Sequence, residues 1–207
     1  MGDWLARTRA SYDADAPRYA EVVRDILGGR LPHLNAALDV FVGQVRAAGD
    51  GPVADVGCGP GHVTAHLHDL GIDAFGIDLS PGMVGLARSD HPGLRFEVGS
   101  MTDLPLAADS VAGLLAWWSL IHVPDDTVPA VLGQFRRVLR PGGPLQVGFH
   151  VGDSTRSAPD DGGDAPVHRR RPERVAGWLR DAGFAVQARW EFNIDTDRPG
   201  AILFARG

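Results

Sequence analysis

The 207-residue chain has a single cysteine, Cys58, which excludes an internal disulfide and suits a reducing compartment. It has no apolar run of membrane-spanning length, and its first seven residues, MGDWLAR, lack the apolar core of a secretory signal. The Met-Gly start does not complete a myristoylation motif, because Ala6 stands where a hydroxyl residue is required. Basic runs are scarce as well. The net charge is −6, and the cluster Arg169-Arg170-Arg171 is short enough to be a solvated helix entrance, so a dedicated nucleic-acid reader is not indicated. No internal repeat is present. These absences predict a cytoplasmic protein, a monomer or homodimer, without a membrane or nucleic-acid partner. Apolar residues at 44% and charged residues at 22% are ordinary for one globular domain of this length.

The most informative stretch is Val53-Ala54-Asp55-Val56-Gly57-Cys58-Gly59-Pro60-Gly61. An apolar run, three glycines two residues apart and an immediate helix pattern predict a buried strand, a tight turn and a helix N-terminus. Twenty-one residues beyond Gly57, Asp78 ends a second apolar run, Asp73–Asp78. An acid at that distance suits the hydroxyls of a ribose. A dinucleotide fingerprint would space its glycines G-x-G-x-x-G and hold a pyrophosphate with bare amides. Here the spacing is G-x-G-x-G with a carboxylate, Asp55, built into the turn, which repels a pyrophosphate and attracts an ammonium or sulfonium.

These residues, followed by Gly76-Ile77-Asp78-Leu79-Ser80-Pro81-Gly82-Met83, resemble the class I S-adenosylmethionine-dependent methyltransferases, and the match continues to near the C-terminus. The resemblance implies an α/β fold: a doubly wound, seven-stranded Rossmann-like sheet with an antiparallel terminal hairpin and an N-terminal helical cover. It implies one domain, with residues 1–49 as the cover and 50–207 as the cofactor-binding core. It also implies S-adenosylmethionine as cofactor. Gly57, Cys58 and Gly59 would supply close backbone, and Asp55 would hold the methionine ammonium. Asp78 would take the ribose hydroxyls, Leu79, Ser100 and Met101 would surround the adenine, and the strand end at Trp117 would offer a carbonyl to the ammonium. The family usually has an aspartate where Ser100 stands; a hydroxyl still accepts a hydrogen bond, more weakly.

Along the chain, residues 1–15 are polar and are expected to be mobile. Pro17 opens a helix pattern that ends at Gly28-Gly29, and a second helix carries Leu34, Leu38, Phe41, Val42 and Val45. Tyr12 and Tyr19 are similar to tyrosines that cover the cofactor in the family, although tyrosines on an amphipathic helix also pack. The pair His62 and His66 has zinc-ligand spacing, but no third ligand accompanies it, and packing is the expected role. Ser80-Pro81 starts a helix. Ser110–Ser119 is a nearly continuous apolar run, as in a parallel strand covered on both faces. The resemblance puts His122 at the mouth of an acceptor pocket, and His150 near the end of the next strand is a second candidate there. Residues 152–166 hold four aspartates, two consecutive glycines and two prolines, the composition of a long functional or disordered loop. From Phe184 to Ile194 apolar and polar residues alternate, predicting a half-exposed strand paired with Gly200–Ala205.

The predicted function is methyl transfer to a small-molecule acceptor at oxygen, nitrogen or carbon, with His122 and His150 as proton acceptors for a hydroxyl. The alternative within this fold is a protein that binds S-adenosylmethionine without methylating, such as a cyclase, an isomerase or a regulator. A nicotinamide oxidoreductase is the reading from another class.

Overall fold

A computed structural model describes residues 3–25, 32–157 and 165–207. Two helices, α1 (Asp3–Asp25) and α2 (Pro32–Ala48), precede alternating strands and helices: β1 (Val53–Val56), α3 (His62–Asp69), β2 (Ala74–Asp78), α4 (Pro81–Asp90) and β3 (Arg95–Val98). Then come β4 (Gly113–Trp117), a 3-10 turn at Leu120–His122, α5 (Val128–Val138) and β5 (Pro144–His150). A small hairpin, β6 (Ser154–Ser157) and β7 (Pro166–Arg169), leads to α6 (Pro172–Asp181), β8 (Ala185–Phe192) and β9 (Gly200–Arg206).

Seven strands form one sheet in the order β3-β2-β1-β4-β5-β9-β8, with β1 to β5 parallel and the β8–β9 hairpin antiparallel at one edge. The strand order reverses between β1 and β4, and that is where an open α/β sheet leaves a crevice beyond its carboxyl ends. Alternation along the strands divides the core. Ala54, Val56, Leu114 and Ala116 pack with α5 and α6, while Val53, Ala74 and Leu115 pack with α2 and α3. The strands are apolar on both faces for this reason.

Three local expectations change. Residues 3–15 are helical: α1 begins at Asp3 and kinks at Asp15 (φ −120°, ψ 15°), two residues before Pro17, whose ring cannot follow a regular helix. The predicted end of this helix at Gly28-Gly29 lies outside the described residues. Within 152–166, Ser154–Ser157 pairs antiparallel with Pro166–Arg169, so both flanks of the expected loop are strand; residues 158–164 lie outside the described residues. The alternation of β8 is broken by a bulge between Val186 and Ala188. One extra residue moves the following side chains to the other face. Val186 thus packs with the α5–α6 core, while Trp190 meets Phe204 (centroids 5.1 Å apart) on the opposite side.

Candidate active site

A cavity of about 700 Å³, counting its open mouth, lies at the carboxyl ends of β1, β2 and β4 and beneath α1. Its floor is the glycine turn. Gly57 has φ +77°, and a Cβ there would come within 2.2 Å of the Ser119 Cβ, so no other residue fits. Gly59 has φ +54° and faces space: a Cβ there would have only the Tyr19 ring nearby, at 3.7 Å. The turn is tied to β2 by backbone bonds from the Gly57 and Cys58 amides to the Ile77 carbonyl (2.7 and 3.2 Å).

The two acids of this region have different surroundings. Asp78 lines the cavity, and its carboxylate accepts from the Gly59 amide (2.8 Å) and the Ser80 amide (2.8 Å). An ionised carboxylate has about four acceptor positions, so two such bonds leave capacity for a diol. Burial raises its pKa against those two amides. Asp55 is fully buried and does not line the cavity; one oxygen accepts from the Thr64 hydroxyl (2.7 Å), and the other has no hydrogen-bond partner among the described residues. Burial, with a smaller push from the charge of Asp78, raises Asp55 to about 7.

Leu79, Ser100, Met101 and Trp117 also line the cavity, whereas Cys58 is buried with its thiol toward the Gly59 carbonyl (3.6 Å). His122 lines the cavity too. Its Nδ1 lies 2.9 Å from the Pro166 carbonyl, which can only accept, so Nδ1 carries the proton and donates it there. Nε2 is then a lone pair and accepts from the Tyr12 hydroxyl at 2.7 Å. His150 stands behind Trp118 (6.3 Å between rings) and is not among the lining residues. Trp118 itself has φ +54°, unusual for a bulky residue, and its ring occupies the space where a Cβ on Gly148 would sit, 2.5 Å away.

Helix α1 closes over both ends. The Asp13 carboxylate accepts from the Ser80 hydroxyl (2.5 Å) and the Gly82 amide (2.9 Å) at the start of α4, and Arg9 donates to the Leu79 carbonyl (3.1 Å). The Ala165 amide donates to the Ser11 hydroxyl (3.3 Å), joining the small hairpin to the helix.

The methyltransferase-domain family model matches residues 53–143, from β1 to the turn before β5. Over that stretch the chain is similar to S-adenosylmethionine-dependent methyltransferases. Malonyl-[acyl-carrier protein] O-methyltransferase of Pectobacterium atrosepticum is 35% identical over 95 residues, covering 44% of this chain and 35% of that protein. Demethylmenaquinone methyltransferase of Renibacterium salmoninarum is 30% identical over 138 residues, covering 67% of this chain and 56% of that protein. The chain therefore spans roughly a third to a half of the length of these relatives. The solved magnesium protoporphyrin IX methyltransferase of Synechocystis PCC 6803, with bound SAM, shares the fold over 100% of this chain and 98% of its own, with a TM-score of 0.75 at 18% identity.

Two lining residues of this fold, Trp4 and Thr8, were not foreseen. They project with Tyr12 from one face of α1 at i, i+4 spacing, a helical signal present in a stretch that reads as polar. Arg170, expected in a solvated basic run, is buried; it pairs with Asp125 (2.9 Å) and donates to the Leu120 and Val123 carbonyls on either side of His122. Arg171 in the same run is exposed and pairs with Asp153.

Proposed function

We propose that this chain transfers a methyl group from S-adenosylmethionine to a small-molecule acceptor at oxygen, nitrogen or carbon. The observation that carries this reading is one cavity lined both by the glycine turn with the acid Asp78 and by the side chains of Tyr12, Trp118 and His122. The nucleoside end fits the donor. Asp78 would take the ribose hydroxyls, Gly57 and Gly59 would admit the methionine part, Ser100, Met101 and Leu79 would enclose the adenine, and the Trp117 strand end would meet the ammonium. Asp55 and Cys58 would act from behind this surface, Asp55 through its buried negative charge. When bound, S-adenosylmethionine supplies a methyl group already activated on a sulfonium.

The protein's own part is largely positioning, which can supply more rate than any single base. Trp118 and Tyr12 would hold the acceptor and exclude water, and His122 would hold the proton of a hydroxyl acceptor. His150 would support Trp118 and enter only if that ring moved. The name of one relative, a demethylmenaquinone methyltransferase, favours a small organic acceptor, while that of the other has its acceptor group carried on a protein. We also place the protein in the cytoplasm as a monomer or homodimer without a nucleic-acid partner, in keeping with its charge of −6 and single thiol. No helix among the described residues is long and apolar enough to cross a membrane.

Calorimetry tests the reading: S-adenosylhomocysteine should bind and NADH should not, and the reverse order would end the assignment. Asp78→Ala should weaken the S-adenosylhomocysteine complex by roughly 1.5–3 kcal/mol, as for hydrogen bonds to a charged group. Turnover of S-adenosylmethionine to S-adenosylhomocysteine on an acceptor distinguishes a methyltransferase from a protein that only binds the cofactor.

A further inference from the structure

Asp55 is a fully buried acid. One oxygen accepts from the Thr64 hydroxyl (2.7 Å), and the other has no hydrogen-bond partner among the described residues. β2 sets Gly76 in register with it, and β4 sets Leu115. α2 covers this face of the sheet with Leu38, Phe41, Val42 and Val45. α3 points Thr64 at Asp55, whereas His62 and His66, two positions to either side, turn away from it, and the His62 ring lies against His91 (5.7 Å). The ionisable groups that act on Asp55 and share its surroundings are acids: Asp78 at the end of β2, which has Asp13 beside it, and the buried Cys58 thiol. Taking a carboxylate charge out of water without a cation is costly enough that such a group neutralises instead. The Thr64 hydroxyl and amide favour the charged form, but burial outweighs them and carries Asp55 from 3.8 to about 7.

Asp55 is close to the cavity all the same. Two residues further along β1 and β4 come Gly57 and Trp117, both lining residues, about 7 Å up the sheet at the rise of a strand. The proposed cofactor reading puts the methionine part and its ammonium at these positions. Resting on that reading, we infer that Asp55 is a proton store discharged by the cofactor: the ligand-free protein holds it neutral, and the arriving ammonium drives its proton into solvent. The ammonium brings the positive charge that the surroundings of Asp55 lack, and an opposite charge nearby favours the ionised carboxylate. In the step the Asp55 O–H bond breaks and its electron pair stays on the carboxylate. The proton passes to water, and the ammonium keeps its own three. Proton and cofactor therefore compete. Below about pH 7 the cofactor must displace a proton, and above it the carboxylate is already ionised. Affinity for S-adenosylhomocysteine should rise about tenfold from pH 6 to pH 8 through Asp55 alone.

The experiment is calorimetry on the full chain in two buffers of different ionisation enthalpy, which counts the protons released on binding. The probes are S-adenosylhomocysteine and its deaminated analogue, in which hydrogen replaces the amino group. At pH 6.5 S-adenosylhomocysteine should release about 0.7 of a proton more than the analogue, and this excess should fade by pH 8.5. Protons released through Asp78 are common to both ligands, since both carry the ribose. Asp55→Asn should abolish the excess. Carbon-13 spectra of the parent, with the Asp55 carboxyl assigned through the backbone, give a readout that needs no variant and no analogue. That carbon should move from the neutral to the ionised range when S-adenosylhomocysteine is added at pH 6.5. A carboxyl signal that stays put, equal release by the two ligands, or an excess that survives in Asp55→Asn overturns the proposal. Failure of S-adenosylhomocysteine to bind at any pH would instead overturn the cofactor reading beneath it.

Discussion

The two ends of the cavity are built in different ways. At the nucleoside end the bonds that set the turn itself are local and use backbone, Gly59 to Asp78 being 19 residues apart and Ser80 to Asp78 two, and α1 is tied over it by Arg9 to Leu79, 70 residues apart, and Asp13 to Ser80, 67 apart. At the acceptor end they join distant segments through side chains: Tyr12 to His122 spans 110 residues, Ala165 to Ser11 spans 154, and Arg170 to Leu120 spans 50. The first end is set by the turn and strands of one sheet region. The second is assembled from α1, the 3-10 turn and the hairpin. Side chains there can change without disturbing the turn, the arrangement expected when binding specificity rests on connecting segments around a fixed scaffold.

The largest effect separating the ends should come from pH. Asp55 is raised from 3.8 to about 7 by burial, so the folded protein holds a proton that the unfolded chain has released. The stability this adds is full below about pH 4 and is lost as pH rises through about 7, an effect of up to about 4 kcal/mol for the ligand-free protein. Urea unfolding from pH 4 to 8 should show that decline, and Asp55→Asn should flatten most of it. A parental slope in Asp55→Asn would place the titration elsewhere. Next in size, Gly57→Ala combines a left-handed backbone with a Cβ contact at 2.2 Å and should cost about 3 kcal/mol in unfolding, with loss of S-adenosylhomocysteine binding. Binding that survives Gly57→Ala would mean the turn can relax. Smallest, Asp13→Ala removes a carboxylate at the start of α4 and should cost about 1 kcal/mol. Its signature should be faster hydrogen exchange in α1 with little change in S-adenosylhomocysteine affinity; an affinity loss as large as that of Asp78→Ala would join the two ends into one unit.

This division also explains what could be read from the sequence. The glycine spacing, Asp78 and the apolar strands are patterns within a few dozen residues, and they led to the sheet and the nucleoside end. The acceptor end left fainter marks. The inward face of α1 carries the buried Thr8, Ala16 and Ala20 and the half-buried Tyr12, small or hydroxyl-bearing residues that score as polar or neutral, with Arg9 and Asp13 bonded along its edge. Arg170 looks like its two neighbours until Asp125 and two carbonyls surround it. The bulge at Gln187 leaves perfect alternation in the letters, since an inserted residue changes which face a side chain meets but not the order of residue types. His150 ends a strand at the crevice, as expected, but the ring of Trp118 stands against it.

The interlock of Trp118 with Gly148 limits the order in which this pocket can be altered. Any side chain at 148 would collide with the indole, so a substitution there is damaging while the tryptophan remains. Reducing Trp118 first removes the obstacle, and Trp118→Gly also suits the left-handed backbone. Of the two routes to Trp118→Gly/Gly148→Ala, the one that starts at Trp118 is open and the other passes through a clash. A lineage or a laboratory selection that enlarges and then reshapes this pocket should record the tryptophan change first, and a double-mutant cycle on the pair should be strongly non-additive.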